Sequence, residues 1–186
     1  MRIISGLLKG RSINFSKNSN TRPLKDSVKE NIFNILKHSS LINVKIENSN
    51  ILDLYSGFGS FGIECISRGA KKVTFVEQDS YAANLLRENL IRLSVINKSK
   101  MYVDKLENVI GKYINEKFHI IFLDPPFADK NFLKNLLKIK KKAIFFKNHI
   151  VILHRDEKSK DDISNFLKVI EVKQYGRSKI IFSIFN

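Results

Sequence analysis

Short apolar runs and longer amphipathic stretches alternate along most of the chain. From Asn50 onward, runs of strand length are followed by stretches whose apolar residues recur at helical spacing. This alternation is typical of a parallel, doubly wound α/β sheet, because parallel neighbouring strands need a helical crossover. We predict strands over residues 51–54, 72–77, 100–103, 119–123 and 149–153, and helices over residues 61–68, 80–93, 105–113 and 131–140.

The end of the chain departs from this alternation. Two strand-like stretches, residues 167–174 and 179–185, are separated only by residues 175–178. A connection this short cannot form a parallel crossover, so the two strands must pair antiparallel. We therefore predict a Rossmann-like, seven-stranded and mostly parallel sheet in which the last strand is antiparallel.

The first 40 residues precede the alternation and predict a hairpin followed by a helix. Residues 2–5 and 11–15 are strand-like and flank a glycine-bounded turn. Ser27 and Glu30 have the spacing of a capping box, and apolar residues then recur at helical spacing. We divide the chain into an N-terminal appendage, residues 1–40, and a main domain, residues 41–186.

Length and composition favour an ordinary globular protein. The chain has 186 residues, of which 43% are hydrophobic, and no run approaches the ~18 apolar residues of a membrane span. Cys65 is the one cysteine, so no internal disulfide can form, and we expect it in the core. The histidines show no metal-ligand spacing. We expect a cytoplasmic monomer without a membrane segment, a signal peptide or a metal.

The charge balance indicates a polyanionic partner. Lys and Arg number 33 against 18 acids, a formal net charge of +15. An AT-rich genome would also enrich Lys, Ile and Asn, but it should enrich Glu as well, and acids are scarce. Excess positive charge attracts nucleic acid, so we expect the chain to bind it.

A glycine-rich turn follows the first strand of the main domain. Gly57 and Gly59 lie between this strand and a helix, and Glu77 ends the next strand, where an acid can accept from ribose hydroxyls. The pattern predicts an adenosine-bearing cofactor, either NAD or S-adenosylmethionine. Three features favour S-adenosylmethionine. Asp53, before the glycines, can face the cationic amino-acid group of that cofactor, and the antiparallel C-terminal hairpin is not part of the usual dinucleotide-binding fold. The chain also leaves no room for the separate substrate domain of a dehydrogenase.

Asp124, Pro125, Pro126 and Phe127 follow the fourth strand, at the sheet edge where such folds bind ligands. The prolines stiffen the turn and leave its carbonyls free to accept. An exocyclic amine of a base is a poor nucleophile because its lone pair is delocalised into the ring. The Asp124 carboxylate and a backbone carbonyl could accept its two N–H groups, and the Phe127 ring could stack on the base. The loop therefore predicts methylation of such an amine. Asp124→Asn should be milder than Asp124→Ala, since an amide oxygen can still accept.

Taken together, these motifs resemble the bacterial 16S ribosomal RNA guanine-N2 methyltransferases, the ribosomal RNA small subunit methyltransferase D family. The resemblance spans nearly the whole chain, although Leu24 stands where the family usually has threonine. It is carried by residues 1–6, 9–11, 22–30, 33–36, 53–62, 67–70, 76–79, 89–90 and 124–127.

The resemblance implies roles for residues in three groups. The expected cofactor-binding residues are Asp53, Tyr55, Gly57, Gly59, Glu77, Gln78 and Asp104, the last of them accepting from the adenine amine. The expected catalytic residues are Asp124, Pro125, Pro126 and Phe127. The expected RNA-binding residues are Arg2, Lys9, Arg11, Arg22 and Lys25.

The sequence as a whole predicts transfer of a methyl group from S-adenosylmethionine to guanine N2 in 16S ribosomal RNA, within the small subunit or its precursor. One alternative is the same reaction on another amine, such as adenine N6 in DNA or RNA or a protein glutamine. A second alternative is an RNA-binding module without catalysis. Methyl-transfer assays on small-subunit RNA, DNA and protein distinguish guanine methylation from methylation of another amine. Failure to bind S-adenosylmethionine would favour the RNA-binding module.

Overall fold

A computed structural model describes residues 1–16 and 24–186 of the chain. Its helices are α1 (Asp26–His38), α2 (Ser60–Ser67), α3 (Ser80–Arg92), α4 (Leu106–Lys112) and α5 (Phe132–Lys142). Its strands are β1 (Asn50–Leu54), β2 (Lys72–Glu77), β3 (Ser99–Val103), β4 (Phe118–Leu123), β5 (Phe145–Asp156), β6 (Leu167–Tyr175) and β7 (Ser178–Phe185).

The strands form one seven-stranded sheet in the order β3-β2-β1-β4-β5-β7-β6. The neighbours from β3 to β5 pair parallel, whereas β7 pairs antiparallel with both β5 and β6. The prediction of a mostly parallel sheet with an antiparallel last strand is therefore confirmed. The insertion of β7 between β5 and β6 was not predicted, because sequence spacing does not say which strand a hairpin joins.

Alternate residues of the central strands face two separate hydrophobic clusters, one on each side of the sheet. Ile51 of β1 belongs to the cluster that contains residues of α2 and α3, while its neighbour Leu52 belongs to the cluster that contains residues of α4 and α5. The N-terminal segment contributes Ile3, Ile13 and Phe33 to the first cluster. The described residues of this segment, 1–16 and 24–40, thus share a core with the sheet.

Buried polar groups fasten the N-terminal segment to α2 and α3. The Glu64 carboxylate accepts from the backbone N–H groups of Ile4 (2.8 Å) and Ser5 (3.0 Å). Asn89 accepts from Asn14 N–H at 2.8 Å and donates to the Asn14 carbonyl at 2.9 Å. Because both side chains are fully buried, these bonds hold the segment against the sheet's helical layer.

Lys29 of α1 adds a second link to this layer. Its ammonium donates to the Arg2 carbonyl at 2.8 Å and lies 3.8 Å from the Glu64 carboxylate. Burial lowers the pKa of Lys29, and the nearby Glu64 charge opposes that effect. Lys29 also donates to the hydroxyl of Ser60, the first residue of α2, at 3.3 Å. It therefore holds Arg2 close to the beginning of α2.

Of two local predictions for the N-terminal region, the hairpin is confirmed in part and the capping box was wrong. Residues 1–3 and 10–13 pair antiparallel, with the Ile3 N–H donating to the Arg11 carbonyl and the Ile13 N–H donating to the Met1 carbonyl, both at 2.9 Å. The pairing stays short because residues 5–8 contact Ser67 instead. Helix α1 begins at Asp26, with Lys25 at the N-cap, and the described residues supply no side-chain hydrogen bond to that cap. The Ser27 and Glu30 capping box is therefore not formed.

Strand β5 is longer than predicted. It begins at Phe145 and ends at Asp156, whereas the apolar pattern covers only residues 149–153. The exposed Lys147 and Asn148 interrupt the pattern at one end, and the buried but polar His154 and Arg155 interrupt it at the other. In the part of the chain that the structure describes, no helix is long and apolar enough to cross a membrane.

Candidate active site

The loop after β1 turns sharply at its glycines. Gly59, with φ of +83°, stands at the N-cap of α2, and a Cβ on it would lie 2.3 Å from the Leu86 side chain. A residue other than glycine would be strained there and would also clash. Tyr55 and Gly57 also have positive φ, so the loop folds back over the carboxyl end of the sheet.

Asp53, the first predicted cofactor residue, is buried near the end of β1. Its carboxylate accepts from the Gly62 N–H at 2.9 Å and so holds the first turn of α2. Burial raises the pKa of Asp53 well above its usual range, and the Gly62 N–H offsets part of this effect. A buried carboxylate of this kind is an acceptor that a cationic ligand would stabilise.

Glu77 ends β2 beside the same loop. Its two carboxylate oxygens accept from the Gly57 N–H at 2.7 Å and from the Asp79 N–H at 2.9 Å. Burial raises the pKa of Glu77, and these backbone donors oppose the shift. The side chain therefore holds the glycine loop directly.

Two further predicted cofactor residues lie at neighbouring strand ends. Asp104 follows β3, and its Oδ1 accepts from Lys105 N–H at 2.6 Å and from Asn108 Nδ2 at 3.0 Å. The Asn108 hydrogen bond, followed by the Lys105 N–H, lowers the pKa of Asp104. Gln78 is exposed next to Glu77. The acids Glu77 and Asp104 thus lie at the same edge of the sheet as Asp53.

Tyr55 links the glycine loop to the loop after β4. Its hydroxyl donates to the Asp129 carboxylate at 3.2 Å and accepts from Asn135 Nδ2 at 3.3 Å. Burial raises the pKa of Tyr55, so the phenol stays protonated as a donor. These contacts couple two loops that the chain separates widely.

Asp124 follows β4 at the carboxyl edge of the sheet. Its backbone N–H donates to the Leu54 carbonyl at 3.4 Å, and its Oδ1 lies 2.8 Å from His154 Nδ1 on β5. Pro125 is buried, whereas Pro126 and Phe127 are exposed. The exposed ring and the carboxylate are therefore available together at one edge.

Arg155, also on β5, holds the Asp124–Phe127 loop through its backbone carbonyls. Its guanidinium is buried, donates to the carbonyls of Pro126 at 3.1 Å and Phe127 at 2.9 Å, and pairs with Asp161 at 2.7 Å. The same group reaches the Pro125 carbonyl at 3.5 Å and lies 4.6 Å from the centre of the Phe132 ring. Arg155 is thus the anchor of the Asp124–Phe127 loop.

A small cleft joins these parts. It is lined by Asp53 and Tyr55 from the glycine loop, by Asp124 from the loop after β4, and by Met1 and Leu24 from the N-terminal region. The buried carboxylate of Asp53 and the partly exposed carboxylate of Asp124 therefore face one space. Among the described residues, no group of three His, Cys, Asp or Glu side chains could hold a metal ion.

Comparison with known proteins identifies the family. The family model described as conserved hypothetical protein 95 matches residues 1–184. A Buchnera aphidicola protein named ribosomal RNA small subunit methyltransferase D is 34% identical over 157 residues, which are 84% of this chain and 76% of that protein. The chain belongs to the ribosomal RNA small subunit methyltransferase D family.

Two other proteins are similar to this chain. YlbH of Bacillus subtilis, provisionally named an rRNA methyltransferase, is 36% identical over 141 residues, 75% of this chain and 73% of that protein. The solved Escherichia coli protein yhhF, provisionally named a methyltransferase, has a TM-score of 0.83 at 22% identity and covers 98% of this chain and 96% of its own. The latter likeness concerns the fold, which is that of class I methyltransferases.

The structure brings most of the predicted site residues of this family member to one edge of the sheet. Of the predicted RNA contacts, Arg2, Lys9, Arg11 and Lys25 are exposed, and Arg22 lies outside the described residues. Sequence reasoning missed His154 and Arg155. The available signal was a polar pair directly after the apolar run 149–153, at the end of a strand where ligand-binding residues concentrate.

Proposed function

We propose that the protein transfers a methyl group from S-adenosylmethionine to the exocyclic N2 amine of a guanine in 16S ribosomal RNA. The observation that carries this proposal is the shared cleft between Asp53, at the end of β1, and Asp124, after the adjacent strand β4. The Asp53 carboxylate can face the cationic group of the cofactor, and the Asp124 carboxylate can accept a hydrogen bond from the target amine. Family membership supports ribosomal RNA as the substrate class.

The residues around the glycine loop fit the cofactor. When bound, S-adenosylmethionine supplies an electrophilic methyl group on a positively charged sulfur. Asp53 would face its cationic amino-acid group, Glu77 would accept from the ribose hydroxyls, and Asp104 would accept from the adenine amine. Tyr55, Gly57, Gly59 and Gln78 complete the proposed set. The raised pKa values of the buried Asp53 and Glu77 mean that a bound cation and hydroxyl donors would stabilise their ionised forms.

Asp124 and the loop around it would position the amine. The carboxylate accepts one N–H and the Pro125 carbonyl accepts the other, which directs the nitrogen lone pair away from both acceptors. Phe127, which is 39% exposed, stacks on the base. Methylation of the nitrogen would release one of its protons, which the Asp124 carboxylate, 21% exposed, would accept and pass to solvent. The base must leave its stack or lie in a single strand to reach Asp124.

We also propose that residues 1–40 form an RNA-contacting appendage of the methyltransferase domain, residues 41–186. The exposed Arg2, Lys9, Arg11 and Lys25, together with Arg22, would bind phosphates. Support comes from Met1 and Leu24, which line the cleft and thereby bring this basic segment to the target base. The protein would act as a cytoplasmic monomer on the small subunit or its precursor.

A transfer assay tests the proposed reaction. Small subunits and 16S RNA from cells that lack this chain should accept a labelled methyl group, and nucleoside mass analysis should identify N2-methylguanosine. A DNA duplex and a glutamine-containing protein serve as the competing substrates. N6-methyladenosine, methylated glutamine or the absence of any transfer would contradict the proposal.

Replacing Glu77 with alanine should weaken S-adenosylmethionine binding by about 1.5–3 kcal/mol, the contribution of hydrogen bonds to a charged acceptor. Loss of the 2.7 Å contact with Gly57 N–H acts in the same direction, because it loosens the loop. Isothermal titration calorimetry measures the change, and Glu88→Ala, on the exposed face of α3, is the control. Equal affinity of Glu77→Ala and the parent would remove Glu77 from the site.

A further inference from the structure

His154 contacts both side chains that the proposed reaction uses to hold the base. Its Nδ1 lies 2.8 Å from Asp124 Oδ1, and its ring meets the Phe127 ring edge-on, with centroids 5.6 Å apart and planes at 85°. An aspartate carboxylate has only acceptors, so His154 Nδ1 donates this hydrogen bond. The His154 side chain is 10% exposed and that of Asp124 is 21% exposed.

The bond assigns different tasks to the two oxygens of Asp124. Oδ1 is engaged by His154 on the side of β5, and Oδ2 is left to accept from the target amine in the cleft. Because the donor comes from a strand rather than a loop, the plane of the carboxylate is held with little freedom. His154 does not itself line the cleft.

We propose that His154 is a positioning residue that makes methyl transfer depend on a carboxylate, not merely an acceptor, at residue 124. This inference rests on the proposed function. If Asp124 is replaced by asparagine, the amide oxygen pairs with the His154 donor, and the amide NH2 turns toward the cleft. That NH2 is a donor facing the N–H donors of the substrate amine, so the amine loses its acceptor. Because of His154, we expect Asp124→Asn to lower the rate of methyl transfer as much as Asp124→Ala does, and not less, as the sequence alone suggested.

In the Asp124→Asn variant, the opposite orientation of the new amide, with its NH2 toward His154, is disfavoured by His154 Nε2. To accept from an asparagine NH2, His154 Nδ1 would have to lose its proton to Nε2. His154 Nε2 is buried and has no hydrogen-bond partner among residues 1–16 and 24–186. A buried N–H without an acceptor is costly, so the Nδ1 donor is retained.

Single-turnover kinetics on a verified RNA substrate tests the proposal. Asp124→Asn should lose about 10²–10⁴ in rate, as Asp124→Ala does, because both remove the acceptor. In the double variant Asp124→Asn, His154→Phe the amide can rotate, and the rate should recover about 10-fold or more over Asp124→Asn alone. The matched control is His154→Phe alone, which keeps the carboxylate at residue 124 and should lose less rate than Asp124→Asn. An Asp124→Asn rate within about 3-fold of the parent, or a double variant no faster than Asp124→Asn alone, would overturn it.

Nuclear magnetic resonance of the imidazole nitrogens gives a readout that does not depend on RNA or on turnover. The His154→Phe spectrum assigns the signals by their loss. We expect a protonated Nδ1 in both the parent and Asp124→Asn, and loss of the hydrogen-bonded Nδ1–H signature in Asp124→Ala. A proton moved to Nε2 in Asp124→Asn would overturn the inference even if guanine methylation is demonstrated. Failure of the transfer assay with the expected spectra would instead count against the proposed function.

Discussion

Replacing Asp124 with alanine should lower the rate of methyl transfer by about 10²–10⁴ and leave S-adenosylmethionine binding nearly unchanged. This range corresponds to the loss of one positioned acceptor in the transition state. Asp124 lies across the cleft from the glycine loop. Its carboxylate contacts His154 and its backbone N–H donates to the Leu54 carbonyl, so replacing its side chain spares the proposed cofactor residues. Single-turnover rates and cofactor titrations on the same preparation measure the two effects.

Asp162→Ala is the matched control for this experiment. Asp162 is exposed, and its carboxylate accepts only local bonds from Ser164, at 2.6 Å and 3.1 Å. Its replacement should change neither the rate nor the affinity. If Asp124→Ala turns over as fast as the parent, the Asp124–Phe127 loop is a structural turn, and methylation of an amine loses its main support.

Replacing Arg155 with methionine should reduce the free energy of unfolding by about 3–5 kcal/mol. The guanidinium is 1% exposed, and its removal leaves the Asp161 carboxylate and the loop carbonyls without their buried donor. We also expect slower methyl transfer, since the Pro126 and Phe127 carbonyls would no longer be held. Urea or guanidinium unfolding measures the stability change.

A second arginine–aspartate pair provides the control. Arg177 lies 3.7 Å from Asp156, and its side chain is 78% exposed. Arg177→Met should therefore change the free energy of unfolding by less than about 1 kcal/mol. The double variant Arg155→Met, Asp161→Asn should recover only part of the loss, because the loop carbonyls stay unsatisfied. Equal effects of Arg155→Met and Arg177→Met would show that Arg155 is not the anchor.

Several features follow from the sequence because they depend on local spacing. The alternation of apolar runs and amphipathic stretches predicted β1 to β5, with β2 correct at both ends. The predicted connection of four residues between the last two strands required an antiparallel pair, and β6 and β7 do pair antiparallel, with two residues between them. The edge of the sheet where Asp53, Glu77, Asp104 and Asp124 lie was also predictable, since the carboxyl ends of parallel strands share one edge.

Other features depend on contacts between distant parts of the chain. The capping box at Ser27 was wrong because α1 already begins at Asp26, and Lys29 in its first turns contacts Glu64 and the Arg2 carbonyl. The paired arms of the hairpin are shorter than predicted because Glu64 accepts from the N–H groups of Ile4 and Ser5, and Asn89 accepts from that of Asn14. Neither competitor is visible in the local pattern of residues 1–40.

The sequence by itself determined the fold class, the family resemblance and the edge of the sheet that carries the site, because periodicity and motif spacing encode them. Only the tertiary structure decided what holds that site. His154 and Arg155 interrupt an apolar run and look like the end of a strand, yet parallel pairing of β4 with β5 sets them beneath Asp124 and the carbonyls of its loop. Strand pairing joins residues about thirty positions apart in the chain, and no local pattern specifies which polar side chains then meet.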